Sequence, residues 1–338
     1  MPGLDRRVSH AMVDPLVLLL AAAAISAALA TPVIRLLRAG GLQTFHWLKR
    51  DVDNRLFYQL HQKKIGTPSM GGILMLVPTI VLVAAFVATP EAWLTLGVVV
   101  VFALLGLSDD ISKAMVKAGL RQDDFAALPK FIVQWGTALG AGLVLTLVFD
   151  RTGVALPLVG TLRLGWLYVP LAALVLVASA NAANITDGLD GLAGGLAVIA
   201  FVALLVIALA VGQLAAASIA AILAGATLGY LFFNVHPAKV FMGDIGSMCL
   251  GAGLAMVALL VDSLVAYVIV MGVFAAETAS SLAQTIALRR GKRIFRIAPY
   301  HHHLEAIGWP ETRITQTFWL VGATLAVAGI LVAKASLP

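Results

Sequence analysis

Charged residues are scarce in this chain of 338 residues: only 12% are Asp, Glu, Lys or Arg, whereas 61% are hydrophobic. Average soluble domains are roughly 45–50% apolar and about 25% charged. A mean hydropathy of +0.98 therefore excludes a soluble two-domain enzyme. Apolar stretches of about 18 or more residues recur, which excludes disordered, collagen-like and coiled-coil proteins. The single cysteine, Cys249, excludes an intramolecular disulfide. The composition predicts a polytopic membrane protein.

Apolar runs long enough to cross a bilayer recur along the whole chain. A hydrocarbon core of roughly 30 Å needs about 20 apolar residues per helix, and backbone groups within lipid must be satisfied internally, which favours helices over strands. We therefore predict an all-α fold: a single transmembrane domain over residues 1–338 with about ten spans. These are 15–37, 70–88, 92–107, 131–149, 166–182, 193–211, 214–233, 247–261, 264–288 and 314–334.

Basic residues are distributed unequally between the predicted connections. The connections after spans one, three, five, seven and nine hold 18 of the 23 Lys and Arg residues, and the opposite side holds 5. The positive-inside rule then predicts that the odd-numbered connections face the cytoplasm and that both termini lie on the outer side. The predicted cytoplasmic loops lie near 38–69, 108–130, 183–192, 234–246 and 289–313. This distribution accounts for the net charge of +6 without a nucleic-acid partner.

Acidic side chains are expensive near lipid, so their positions are informative. Asp109, Asp110, Asp187, Asp190 and Asp244 all fall at the predicted cytoplasmic ends of spans. Adjacent Asp residues cannot share a helix face, so at most one of the pair at 109–110 is expected to point inward. A solvated helix cap explains that pair equally well. Asp187 and Asp190 are three residues apart and would share a face within a helix.

Two further motifs contribute to the predicted site. Asp244 is flanked by glycines just before a span, which suits Mg²⁺, because this ion takes one or two protein carboxylates together with phosphate oxygens. Phe241 nearby would either stack on a base or anchor the interface. The three imidazoles at 301–303 lack the spacing of a zinc site and suit a phosphate clamp. Glu277, inside span nine, is either functional or a polar partner for another helix.

Carboxylates, lysines and histidines at the cytoplasmic mouths of a helical bundle suit Mg²⁺-assisted handling of a diphosphate, where catalysis is mainly charge neutralisation and alignment. The competing class is a transporter or channel. Transporter sites usually lie near the bilayer midplane, whereas the polar residues here cluster at one face. The residues therefore favour an enzyme.

Four segments carry a resemblance to a known family: 61–72, 184–193, 234–247 and 291–305. They resemble the phospho-N-acetylmuramoyl-pentapeptide transferase family, a branch of the polyprenyl-phosphate N-acetylhexosamine-1-phosphate transferases, over essentially the whole chain in motif order and span count. The Asp-Asp, Asn-x-x-Asp-Gly and Met-Gly-Asp elements resemble the wider superfamily. The Ala-Pro-Tyr-His-His-His-Leu-Glu run and the Gly-Thr-Pro-Ser-Met-Gly-Gly turn resemble the muramoyl-pentapeptide branch. The sequence departs from the pattern of the family at Ser69 and Ser108, and neither departure removes a charged group.

The resemblance implies transfer of phospho-MurNAc-pentapeptide from UDP-MurNAc-pentapeptide to undecaprenyl phosphate, with release of UMP, in peptidoglycan synthesis at the bacterial inner membrane. It also implies a homodimer and Mg²⁺ held by Asp244. The sister GlcNAc-1-phosphate transferases are the alternative. Single displacement is expected, and double displacement through a phospho-enzyme stays open. The implied catalytic residues are Asp109, Asp110, Asp244, His301 and His302. The implied substrate-binding residues are Lys64, Thr67, Lys130, Asn184, Asp187, Gly188, Leu189, Asp190, Asn234, Phe241, Gln284 and His303.

Overall fold

The computed structural model describes residues 13–41, 61–117 and 127–335. Parts of the predicted loops near 38–69 and 108–130 therefore lie outside the described residues. Twelve helices are described: α1 Pro15–Ala39, α2 Ile73–Phe86, α3 Pro90–Lys117, α4 Ala127–Leu147, α5 Tyr168–Thr186, α6 Leu192–Ala210, α7 Leu214–Asn234, α8 Gly243–Leu260, α9 Leu264–Val270, α10 Gly272–Arg289, α11 Tyr300–Ala306 and α12 Glu311–Lys334. Short 3-10 turns cover Gln62–Lys64 and Gly165–Leu167.

Eight of the described helices are long and apolar enough to cross a membrane, namely α1, α3 to α8, and α12. The pair α9 and α10 adds a ninth span if both belong to one helix that bends by 69°. The apolar helix α2 has only 14 residues, about 21 Å at 1.5 Å per residue, which is shorter than a bilayer core. The chain is a mostly helical polytopic membrane protein, and the tenth span and the orientation of the termini stay predictions.

The all-α prediction missed one short hairpin. Strands β1 (Gly153–Leu156) and β2 (Gly160–Arg163) pair antiparallel between α4 and α5, with Gly153 opposite Arg163 and Leu156 opposite Gly160. Four-residue strands leave too little period-two alternation to be recognised among longer apolar runs. The adjacent Arg151 side chain donates a hydrogen bond of 2.7 Å to the Leu260 carbonyl and so ties the hairpin to the end of α8.

The centre of the bundle is built from α6, α7 and α8. In the most apolar stretch of each of these helices, 72%, 83% and 83% of the residues are buried, against 28% in α1 and α12. Small residues let the backbones approach closely, which is the usual route to helix association within membranes. A Cβ added at Gly225 or Gly229 of α7 would overlap backbone carbonyl oxygens of Leu19 or Ala23 in α1. This close packing holds the helix ends, and with them the polar loops, in fixed relative positions.

Candidate active site

The polar cluster is organised around the start of α8. Asp110 of α3 accepts hydrogen bonds from the backbone N–H groups of Asp244 and Ile245, each 3.1 Å long, through its two carboxylate oxygens. The first N–H groups of a helix lack intrahelical partners and attract negative charge. Gly243, with φ of +69°, has the Asp110 carboxylate against its α carbon, so an added Cβ would meet it. A carboxylate from α3 therefore fixes the position of Asp244.

Three carboxylates influence one another at this point. The pKa of Asp187 is raised to about 8, first by burial and then by the negative charges of Asp244 and Asp110. The Asp244 carboxylate forms an ion pair with the Lys113 ammonium at 2.7 Å. A place where like charges accumulate, and where a cationic group already contacts a carboxylate, suits a hard cation.

Asp109 has a different partner from its neighbour Asp110. It forms an ion pair with Lys130 of α4, while Asp110 faces α8. The two side chains diverge because successive residues of a helix are rotated by about 100°. The pair therefore lies within α3, which continues ten residues beyond the end that hydropathy predicts at residue 107.

Asp187 and Asp190 lie in the turn between α5 and α6, not on one helix face. The buried Asp190 carboxylate accepts the backbone N–H of Ala238 at 3.0 Å and lies 2.9 Å from the His236 Nδ1 atom. It also forms an ion pair with the Lys64 ammonium at 2.8 Å. The neighbouring Asn184 side chain donates to the Ser247 hydroxyl of α8 at 2.9 Å. The turn is thereby attached to three other segments.

Lys64 is the shared cation of a buried network. Its ammonium contacts the carboxylates of Asp190 and Glu311, and the Glu311 carboxylate also accepts the Asp190 N–H at 2.6 Å. Burial opposes the charged form of Lys64, but the two carboxylates outweigh it and raise the pKa of Lys64. Burial likewise opposes the charge of Asp190, and the Lys64 ammonium outweighs it, so that the pKa of Asp190 is lowered. The Phe241 ring centroid lies 5.8 Å from the Lys64 Nζ atom.

The histidine run forms α11, where two imidazoles are each held by a carboxylate. The His301 Nδ1 atom lies 2.8 Å from a Glu277 oxygen, and the His302 Nδ1 atom lies 2.6 Å from a Glu305 oxygen. A Cβ added at Gly188 would overlap the His301 Nε2 atom and come within 3.0 Å of the His302 Nε2 atom. Both Nε2 atoms therefore face the turn at 187–191, which requires a residue without a side chain at this point.

Burial keeps these imidazoles neutral. It lowers the pKa of His301 to about 3, with the positive charges of His61 and Lys64 adding to the effect. Burial also lowers the pKa of His302 well below its usual range, and His301 and Lys64 contribute. In this state the histidines are hydrogen-bonding groups rather than cations.

Besides Asp190, three of the predicted substrate-binding residues form side-chain hydrogen bonds to backbone groups. The Gln284 side-chain oxygen accepts the N–H groups of Ile294 and Phe295. Asn234 accepts the N–H of Gly191 and donates to the Val240 carbonyl. The His303 Nδ1 atom accepts the Arg296 N–H. Of the rest, Leu189 is buried and Thr67 donates its N–H to the Lys64 carbonyl. These contacts fix the loops that carry the charged residues.

Several residues of the cluster were not predicted from the sequence. Lys113 contacts Asp244, and it lies one helical turn after Asp109, a spacing that would have indicated a shared face. Glu305 belongs to the histidine motif itself and also lies 3.6 Å from the His61 Nε2 atom. Glu311 follows Trp-Pro at the start of α12, and nothing in its local sequence predicts a buried lysine partner.

Two groups of three side chains among the described residues are close enough together that they could hold a metal ion: His61, His302 and Glu305, and Asp190, His236 and Glu311. In the second group the Lys64 ammonium already forms ion pairs with both carboxylates. In the first group the Glu305 carboxylate already forms a hydrogen bond with the His302 imidazole. Asp244 belongs to neither group, and the Asp110 and Asp187 carboxylates near it make it a candidate ligand for a cation.

Comparison with known proteins places these motifs in a family. The profile of Glycosyl transferase family 4 matches residues 92–262. A protein of Geobacillus sp. strain WCH70 named phospho-N-acetylmuramoyl-pentapeptide-transferase is 44% identical over 283 residues, which cover 80% of this chain and 85% of that protein. Proteins of the same name from Bacillus pumilus strain SAFR-032 and Bacillus subtilis strain 168 are each 42% identical, over 81% and 80% of this chain and 86% and 85% of their own lengths.

Proposed function

The chain belongs to the phospho-N-acetylmuramoyl-pentapeptide-transferase family, and we propose that it transfers phospho-MurNAc-pentapeptide from UDP-MurNAc-pentapeptide to undecaprenyl phosphate. The products are lipid I and UMP, in the first membrane step of peptidoglycan synthesis. One observation carries the proposal: relatives of this name match four fifths of the chain at 42–44% identity. The convergence of acidic, basic and histidine side chains at one end of the bundle supports it.

Magnesium is the proposed cofactor, held by Asp244 with Asp110 and Asp187 nearby. The fit rests on the donor set, because carboxylate oxygens suit a hard cation. Burial raises the pKa of Asp187, and the negative charges of Asp244 and Asp110, which a cation would offset, raise it further. The bound ion would neutralise charge on the diphosphate oxygens. Lys113 contributes a further positive charge beside Asp244.

The protein's own residues divide into a nucleotide side and an acceptor side. Lys64 supplies a fixed positive charge on the nucleotide side, because two carboxylates hold it in place. On the acceptor side, Asp110 uses both carboxylate oxygens to cap α8. We therefore assign the candidate base to Asp109, with Lys130 beside it to attract the lipid phosphate. A weak base suffices, since the second pKa of a phosphate is about 6.

Direct attack of the lipid phosphate on the nucleotide sugar is the proposed mechanism. Lys64 and Lys130 are the proposed contacts that align the two anionic reactants, and with both reactants held in place no covalent intermediate is needed. The proposal also includes a bacterial inner-membrane location, an active site that faces the cytoplasm, ten spans and a homodimer. The concentration of basic residues in the odd-numbered connections supports the orientation.

UMP release from purified protein tests the activity. With undecaprenyl phosphate and Mg²⁺ present, we expect release from UDP-MurNAc-pentapeptide and none from UDP-GlcNAc. The catalytically impaired control is Asp244→Asn, assayed at the same protein concentration. Efficient turnover of UDP-GlcNAc would assign the protein to the sister branch instead. Transport of a labelled solute into vesicles without UMP release would indicate that the protein is a transporter and not this enzyme.

A further inference from the structure

His301 presents to the active site a buried nitrogen that has no hydrogen-bond partner within the part of the chain that the structure describes. Its side chain is 0% exposed, and its Nδ1 atom lies 2.8 Å from Glu277 of α10. The opposite atom, Nε2, finds no hydrogen-bond partner among the described residues. It lies against Gly188, but the Gly188 N–H already donates to the Thr186 carbonyl. Buried polar atoms are nearly always paired, so Nε2 points to a ligand that the site receives.

The number of protons on the Glu277–His301 pair decides what Nε2 offers to a ligand. With one proton shared between Glu277 and Nδ1, the pair carries one negative charge and Nε2 is an acceptor. With a second proton, the pair is neutral overall and Nε2–H is a donor, whichever partner holds the inner proton. An anionic phosphate oxygen only accepts hydrogen bonds, so it selects the pair with two protons.

The surroundings of His301 favour the pair with one proton before a ligand binds. His61 and Lys64 face it with positive charge from the segment before α2, and the neutral His302 lies beside it with ring centroids 4.1 Å apart. Glu277 supplies the hydrogen-bonded carboxylate from α10. An arriving phosphate would add the negative charge that makes a second proton favourable.

We propose, on the basis of the proposed function, that Glu277 is a positioning residue that lets His301 take up a proton when the diphosphate of the nucleotide sugar binds. The proton comes from solvent, and no covalent bond forms or breaks in this step. The Nε2–H group then donates to a phosphate oxygen. The same proton returns to solvent once the phosphate has left, so the step adds nothing to the balance of the overall transfer.

Isothermal titration calorimetry of the full-length protein with UDP-MurNAc-pentapeptide, without lipid phosphate, tests this proposal. The observed binding enthalpy is measured near neutral pH in buffers of different ionisation enthalpy, and its slope gives the number of protons taken up. We expect wild-type protein to take up about one proton more than Glu277→Gln, because the amide cannot provide the negative charge that the second proton requires. The alkaline limb of the kcat profile should also move to lower pH in this variant.

Ser280→Ala is the matched control, since Ser280 of the same helix accepts the Tyr300 N–H at 2.9 Å and anchors α11 without carrying charge. Its proton uptake should equal that of the wild type. If Glu277→Gln is not obtained as folded protein, His301→Gln should show the same loss of uptake. Equal uptake by wild type and the folded variant overturns the inference. A wild type that neither binds the nucleotide sugar nor releases UMP contradicts the proposed function instead.

Discussion

Removal of the Lys64 ammonium should destabilise the protein much more than removal of an exposed lysine. In Lys64→Met, the carboxylates of Asp190 and Glu311 lose the cation between them, and the side chains of these two residues are only 3% and 12% exposed. Breaking a buried ion pair by removal of one partner costs about 3–5 kcal/mol, because an uncompensated charge stays buried. We expect a loss of this size in the free energy of unfolding.

Lys113→Met is the matched control, because it removes the same group from an ion pair that is exposed. The Lys113 side chain is 52% exposed beside Asp244, and such pairs contribute about 0–1 kcal/mol. Thermal unfolding of both variants in detergent, followed by circular dichroism, gives the comparison. Equal and small decreases in Tm for the two variants would refute the buried network as a source of stability.

The pH dependence of stability gives a second readout of the same network. The pKa of Lys64 is raised in the folded protein, so its contribution is complete below the unfolded value of about 10.4 and is lost as pH rises through the folded value. The pKa of Asp190 is lowered, so its contribution is present above about 3.9 and is lost as pH falls. The free energy of unfolding of the wild-type protein should therefore decrease at both pH extremes, and Lys64→Met should lack the decrease at alkaline pH.

Three further predictions concern the acidic residues. Asp244→Asn should keep the wild-type Tm but lose nearly all UMP release, because the amide removes the charge proposed to hold Mg²⁺. Near-normal turnover at saturating Mg²⁺ would contradict the assignment. Asp110→Asn should lower the free energy of unfolding by about 2 kcal/mol, since an amide caps only one of the two α8 N–H groups. Asp109→Asn, by contrast, should lower turnover with a smaller change in Tm. Without lipid phosphate, the wild type should release no UMP, and a stoichiometric burst with a phospho-sugar adduct on an aspartate would indicate double displacement.

Hydropathy and charge were sufficient to predict much of this architecture. The predicted spans overlap the described helices throughout, because long apolar runs identify membrane helices by length alone. The helix ends were less accurate: α3 extends past residue 107 and α8 begins four residues earlier than predicted, at Gly243. In both cases the polar end of a helix continues out of the apolar run, where hydropathy gives no signal.

The residues of the site were easier to identify than their partners. Lys64, Asp190 and His301 were selected from motifs, but Glu311 lies 247 residues from Lys64 in the sequence. Such a pairing depends on how the helices pack, and no local pattern encodes it. The role of Glu277 stayed open for the same reason, since its partner, His301, lies 24 residues away on a separate short helix.

The cap that Asp110 places on α8 has a consequence for biogenesis. Its hydrogen bond to the Asp244 N–H joins residues 134 positions apart in the chain. This contact can therefore form only after α8 has been inserted beside α3. Until then, α8 begins with unsatisfied N–H groups and Asp244 has no fixed position. A chain in which α8 has not yet been inserted should therefore lack the proposed cation site, and we expect activity only after α8 has packed against α3.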